Sequence, residues 1–145
     1  MPTRSARTTW TGGLQDGRGV VRLVSSGVDV YEVNFPKRAA DNADGTTSPE
    51  ELIAAAHSAC FAMQFSALLG AAGGSDPSLD VTADVTLGPD PAGGFRISGI
   101  VLTVRGQAQG VTPEEFAKIA QEAKSGCPVS KALAGTDISL RVSGG

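Results

Sequence analysis

The sequence predicts an α+β fold, one domain over residues 1–145 in which largely antiparallel sheet flanks a long central helix. Three observations carry this. Strand-like segments lie on both sides of an uncharged apolar stretch at 52–69, a helix-capping signature stands directly before that stretch, and a second such signature opens the last third of the chain.

The opening elements read as strands. Residues 8–11, 20–24 and 28–35 are β-branched or aromatic and are punctuated by Gly12-Gly13 and Ser25-Ser26-Gly27, the pattern of a three-stranded antiparallel meander with tight turns. Residues 36–47, rich in Asp, Asn and Gly, read as a polar connection. Ser48-Pro49-Glu50-Glu51 then announces a helix: serine can cap, proline suits the first turn, and a glutamate three residues after the serine completes a capping box. The helix is expected to run to about Leu69, with Gly70 and Gly73-Gly74 as its stop.

Residues 79–87 place Leu79, Val81, Ala83, Val85 and Leu87 on one strand face, and 95–105 reads as the second arm of a hairpin. Thr112-Pro113-Glu114-Glu115 repeats the capping signature for a helix to about Lys124, ended by Gly126. Cys127-Pro128 opens a short helix to about Ala134, and 137–142 is the final strand.

Composition bounds the function. The 145 residues are 41% apolar with a formal net charge of −3, which describes a globular domain long enough for one core. That acidic balance offers no basic face for phosphates, so no nucleic-acid partner is expected. Residues 52–69 carry no formal charge over 18 positions, the length of a short membrane span. Alanine dominates them, however, and His57, Ser58, Gln64 and Ser66 interrupt them, so a buried helix and no membrane partner are expected. Two cysteines are too few for a disulfide-built secreted scaffold, and no signal-peptide apolar core is present; a cytoplasmic location is expected.

A helix apolar all round must be covered on every side, and one small sheet covers one side. Alanines at 54, 55, 56, 59, 62 and 67 would let another helix approach closely. A homodimer with central helices together at the two-fold axis is the expectation.

The residues with chemistry are few. Cys60 lies in the apolar stretch and Cys127 at a helix entrance, 67 residues apart, so only the fold can pair them. Cys60 alone reads equally as a small buried hydrophobe. At a helix N-terminus the unpaired N–H groups favour a thiolate, which singles out Cys127. His57, the one histidine, precedes Cys60 by one helical turn and reads as a base for the thiol or as a satisfied core histidine. Arg38 reads as a loop charge, and Glu50 and Glu51 as first-turn acids suited to the helix dipole. One histidine and two scattered cysteines without a CxxC do not build a zinc site, so neither metal nor cofactor is expected.

Two motifs carry a resemblance. The run Thr47-Ser48-Pro49-Glu50-Glu51-Leu52-Ile53-Ala54-Ala55-Ala56-His57-Ser58-Ala59-Cys60-Phe61, followed by Cys127-Pro128-Val129-Ser130-Lys131-Ala132-Leu133, resembles the OsmC/Ohr family of thiol-dependent organic hydroperoxide reductases, and its OsmC branch in particular. The resemblance implies an intertwined OsmC-like homodimer with active sites at the subunit interface. It implies that Cys60 is the peroxidatic thiol, Cys127 the resolving thiol, Arg38 the active-site arginine and Glu50 the acid that holds it. Arg18 competes with Arg38, because the Ohr branch takes its arginine from the N-terminal region. The implied partners are an organic hydroperoxide and a dithiol reductant, either a lipoylated protein or another small dithiol. Phe61, Met63 and Phe65 are expected to supply an apolar surround that favours organic peroxides. Glu50 precedes Cys60 by ten residues, about 15 Å along a helix; the expectation is that Glu50, Arg38 and Cys60 assemble across the dimer interface. The rival readings are a non-catalytic dimer that binds an apolar ligand and a redox-sensing module.

Overall fold

In the computed structural model, which describes residues 1–144, the chain falls into two units, Met1–Leu52 and Ile53–Gly145, and the boundary lies inside one continuous helix. The first unit opens with β1 (Arg7–Thr11), β2 (Arg18–Arg22) and β3 (Val30–Val33), an antiparallel meander in that order. Trp10 lies opposite Gly19 in the register. A Cβ on Gly17 would stand 2.7 Å from the Trp10 ring and one on Gly19 2.9 Å from it, so these glycines make room for the indole.

The third strand is shorter than the 28–35 expected, because Asn34 starts a helix. Its side-chain oxygen accepts the Lys37 N–H at 2.8 Å, and Pro36 sits in the first turn of α1 (Phe35–Ala39). The stretch read as a polar connection therefore begins with a helical turn, and Arg38 is on it. An ion pair of 2.6 Å between Lys37 and Asp44 closes the following loop, and Thr47 returns to bridge Val33.

Ser48 caps α2 (Pro49–Ala71), accepting the Glu51 N–H at 3.2 Å. The expected box is only half made. The Glu51 carboxylate accepts instead from the Thr47 hydroxyl. The helix runs two residues past Leu69 before Gly73, at φ +87°, turns the chain in a conformation that side chains with a Cβ resist.

The second unit continues from α2 into β4 (Ser75–Pro89), β5 (Phe95–Gln109), α3 (Pro113–Gly126), α4 (Pro128–Ala132) and β6 (Ile138–Gly144). Strands β4 and β5 form a long antiparallel hairpin with Val81 opposite Val104 and Ala83 opposite Leu102. The last strand pairs with β5 in parallel, within a fold whose other strand pairs β1–β2, β2–β3 and β4–β5 are antiparallel. The cause is the connection: α3 and α4 carry the chain back along β5, the kind of crossover that parallel pairing requires. The Thr112 capping box forms in full, with the Thr112 hydroxyl accepting from the Glu115 N–H and the Glu115 carboxylate from the Thr112 N–H.

Helix α2 supplies this unit with a stripe at four-residue spacing, His57, Phe61, Phe65 and Leu69, all fully buried. The two phenylalanines pack against Leu102 and Val104 of β5 and Phe116, Ile119 and Ala120 of α3. The Phe65 and Phe116 rings are 4.7 Å apart at their centroids, tilted by 59°. On the same helix Ala55, Ala56, Ala59, Met63 and Ala67 are exposed, with Met63 74% accessible. By length and composition α2 is apolar enough to cross a membrane, and its Phe61, Phe65 and Leu69 stripe packs into a globular core.

Candidate active site

Each unit holds one pair of chemically pointed residues. In the first, Arg38 on α1 and Glu50 in the first turn of α2 form a forked ion pair. Arg38 Nη2 donates to Glu50 Oε1 at 2.7 Å, and Nε donates to Oε1 at 3.1 Å and Oε2 at 3.2 Å. Glu50 is 8% exposed along its side chain and Arg38 35%, so the carboxylate anchors and the guanidinium reaches outward. A planar fork of this kind fixes the cation's orientation as well as its place, which a lysine would not do. Arg18, the competitor, sits exposed at the start of β2 opposite Thr11, while Glu50 takes Arg38.

Beside that fork is a cavity of about 220 Å³ walled by Trp10, Leu14, Val33, Phe35 and Pro49, with Arg38 in its lining. Most of its surface is hydrocarbon, and the guanidinium is its charged group. The indole stands here because Gly17 and Gly19 leave it space and because its Nε1 donates to the Gly12 carbonyl at 2.9 Å.

In the second unit the fold brings Cys60 and Cys127 together. Their sulfurs are 2.9 Å apart, and both are free thiols. Cys60 is partly exposed at the edge of the buried stripe of α2, and Cys127 is fully buried. Cys127 ends α3, where its N–H reaches the Ala123 carbonyl, and is the N-cap of α4, with Pro128 next. Burial pushes the Cys60 thiol up, and the neighbouring Cys127 adds to the rise. Burial acts on Cys127 in the same sense, but hydrogen bonding from Cys60, from the Ser130 and Val129 N–H groups and from the Ser130 hydroxyl overcomes it and leaves that thiol lowered.

One turn before Cys60, His57 is fully buried and its Nε2 lies 2.7 Å from Ser130 Oγ. Desolvation lowers its pKa, so the ring is neutral near pH 7. Among the described residues, no group of three His, Cys, Asp or Glu side chains is placed to hold a metal ion.

Against known proteins, a family model described as OsmC-like protein matches residues 41–142. The chain belongs to the OsmC-like family. It is 39% identical to peroxiredoxin OsmC of Escherichia coli (strain K12) over 130 residues, covering 90% of this chain and 89% of that protein. It is 34% identical over 119 residues to the organic hydroperoxide resistance protein OhrA of Bacillus subtilis (strain 168), covering 79% of each. Among solved structures, that of an organic hydroperoxide resistance protein from Elizabethkingia anophelis superposes with a TM-score of 0.76 at 33% identity, covering 100% of this chain and 98% of that one. The α+β architecture with its long helix is thus the OsmC-like fold.

Of the residues the sequence singles out in this OsmC-like chain, the fold pairs Cys60 with Cys127 and Arg38 with Glu50. Phe61 and Phe65, expected around the thiol, are core residues instead, because they fall on the α2 stripe that faces β5 and α3. The apolar surface that neighbours Arg38 comes from Trp10, Leu14, Val33 and Phe35. Ser130 stands in the Cys127 motif without a role of its own in the sequence reading. Its signal was its position three residues after the cysteine at a helix entrance, where a hydroxyl lies near the capping side chain.

Proposed function

We propose that this chain is a thiol-dependent peroxidase that reduces organic hydroperoxides to alcohols in the cytoplasm, with Cys60 as attacking thiol and Cys127 as resolving thiol. The observation that carries it is the 2.9 Å approach of two free sulfurs, one partly exposed and one buried. A disulfide is about 2.05 Å long, so bond formation needs only a small closure. The names of the relatives, peroxiredoxin OsmC and organic hydroperoxide resistance protein OhrA, support the same chemistry.

The steps follow from the residues. The Cys60 thiolate attacks one peroxide oxygen, the O–O bond breaks, and the departing alkoxide takes a proton to leave as an alcohol. Cys60 becomes a sulfenic acid. Cys127 attacks that sulfur, releasing water and forming the Cys60–Cys127 disulfide, which an external dithiol reopens. Burial holds the Cys60 proton on, so the first step needs a cation. In this reading Arg38 supplies it, oriented by Glu50, and the guanidinium also hydrogen-bonds the departing oxygen. The apolar cavity beside Arg38 suits a hydrocarbon tail better than strongly hydrated hydrogen peroxide.

The protein acts as a homodimer in this reading. The exposed Ala55, Ala56, Ala59, Met63 and Ala67 row on α2 supports that, since small residues let a second helix approach closely. Consumption of cumene hydroperoxide in the presence of a dithiol tests the activity. Turnover by the wild-type chain and none by Cys60→Ser is expected; a wild-type protein that leaves the peroxide intact contradicts the reading.

A further inference from the structure

Helices α2 and α4 face each other through two rungs. Cys60 meets Cys127 at 2.9 Å, and one turn away on both helices His57 meets Ser130 at 2.7 Å. Both members of the second rung are buried, His57 completely and Ser130 to 7% exposure. His57 Nδ1 is sealed from solvent and has no hydrogen-bond partner among the described residues. An apolar side chain would fill that place without leaving a buried polar atom unsatisfied. The ring therefore has one polar outlet, and that outlet is Ser130.

We infer that His57 and Ser130 form a proton relay to Cys127, with the Ser130 hydroxyl as a catalytic group at the resolving sulfur and His57 as the residue that positions and charges it. The inference rests on the peroxidase reading and adds a route for the proton in its second step. Ser130 is the third residue of α4 and Cys127 its N-cap, and hydrogen bonding from the Ser130 hydroxyl is among the causes that lower the Cys127 thiol. A proton on Nε2 makes the ring donate to Ser130 Oγ and frees the hydroxyl hydrogen for the Cys127 sulfur. A proton on Nδ1 makes Nε2 the acceptor and turns the hydroxyl toward the ring.

From the second arrangement the Cys127 proton passes to Ser130 Oγ as the Ser130 proton passes to His57 Nε2. The Cys127 thiolate attacks the Cys60 sulfur of the sulfenic acid, the S–S bond forms and the S–O bond breaks. Cys127 is oxidised and the Cys60 sulfur reduced. Hydroxide leaves and takes a proton from the Ser130 hydroxyl, which regains one from the imidazolium, so the step releases one water. Desolvation makes the buried imidazolium a poor keeper of that proton, which favours its return. When a dithiol later reopens the disulfide at Cys60, the same hydroxyl stabilises Cys127 as the leaving thiolate.

The test separates the relay from the peroxide chemistry. In a Cys60→Ser background, the pH dependence of the ultraviolet thiolate absorbance reports the ionisation of Cys127, which needs no reagent to reach the buried sulfur. Among the described residues, His57 on α2 reaches Cys127 through its contact with Ser130; on α3, Lys124 is turned to the Ile138 carbonyl, and on α4, Lys131 is exposed. Ser130→Ala and His57→Leu are expected to raise the midpoint by about one pH unit, about tenfold less thiolate at a given pH. Ser130→Thr, which keeps the hydroxyl, is expected to restore it.

In the two-cysteine protein oxidised by cumene hydroperoxide, Ser130→Ala is expected to slow disulfide closure about tenfold while the preceding oxidation of Cys60 keeps its rate. His57→Leu leaves a cavity of its own, so Ser130→Ala, which removes one atom, carries the result if that variant fails to fold. An unchanged Cys127 midpoint and closure rate in Ser130→Ala, or a Ser130→Thr protein that behaves like the alanine variant, overturns the relay. Failure of the peroxidase reading looks different: the wild-type thiols stay reduced in hydroperoxide, while the Cys127 midpoint still moves.

Discussion

Cys60 and Cys127 carry the same side chain in opposite electrostatic settings. Cys60 is partly exposed and held protonated by desolvation, whereas Cys127 is buried and drawn toward the thiolate by the hydrogen-bonding groups around it. In the proposed reading, exposure suits Cys60 to the first attack and burial suits Cys127 to the sulfur beside it. Cys60→Ser is therefore expected to abolish hydroperoxide turnover, while Cys127→Ser undergoes one round of oxidation and then fails to recycle through the disulfide. Single-turnover oxidation of each variant checks this; equal loss of the first step in both contradicts the assignment. His57 adds a pH signature. Its folded-state pKa lies below the ordinary 6.5, so below that pH the unfolded chain binds a proton that the folded chain refuses. Stability from this group is complete above pH 6.5 and declines as pH falls, until His57 itself protonates. The gap in urea midpoint between wild type and His57→Gln is expected to narrow from pH 7.5 to pH 5.5, and a constant gap contradicts it. At this scale the sequence singled out Cys60, Cys127 and His57, since a cysteine at a helix entrance and a histidine one turn from another cysteine are visible in one dimension. It could not show the Cys60–Cys127 or His57–Ser130 contacts, which join positions 67 and 73 residues apart.

Among the elements, α2 is the one on which both pairs depend, since its first turn holds Glu50 and its middle holds His57 and Cys60. Its existence was legible from Ser48-Pro49 and the uncharged run that follows. Its sidedness was not, because with alanine or larger apolar residues on every face the pattern lacks an amphipathic period. Only the partners Leu102, Val104 and Phe116 select the Phe61–Phe65–Leu69 stripe as the buried one. Phe65→Ala is expected to cost about 3–5 kcal/mol, because it opens a cavity between α2 and α3. Its urea unfolding midpoint should fall well below that of Met63→Ala, a change on the exposed face; equal midpoints would contradict the packing. The α1 turn shows a missed local signal: Asn34-Phe35-Pro36 is a cap followed by a first-turn proline, hidden inside an apparent strand end. The parallel placement of β6 had no local signal at all. Its alternating Ile138, Leu140 and Val142 suit either direction, and the crossover through α3 and α4 decides.

For the whole molecule, the exposed alanine row of α2 argues for a second copy. Light scattering at low micromolar concentration is expected to return twice the chain mass, and Ala59→Arg, placed in that row, is expected to shift it toward one chain. A wild-type monomer would contradict the dimer. If the Arg38–Glu50 fork of one copy serves Cys60 of the other, mixed dimers of Cys60→Ser and Glu50→Ala chains contain one intact site and recover about half of wild-type activity. Sites built wholly within one chain would give no such recovery. The central claim, that Cys60 and Cys127 are the working thiols of an organic hydroperoxide reductase, has a more direct test. The reduced protein is mixed with one equivalent of cumene hydroperoxide without reductant, and its intact mass and free thiols are measured. The account predicts stoichiometric conversion of the peroxide to its alcohol, loss of two hydrogens from the chain, and a Cys60–Cys127 link that a dithiol reverses. A chain that keeps its mass and both thiols while the hydroperoxide persists would contradict it.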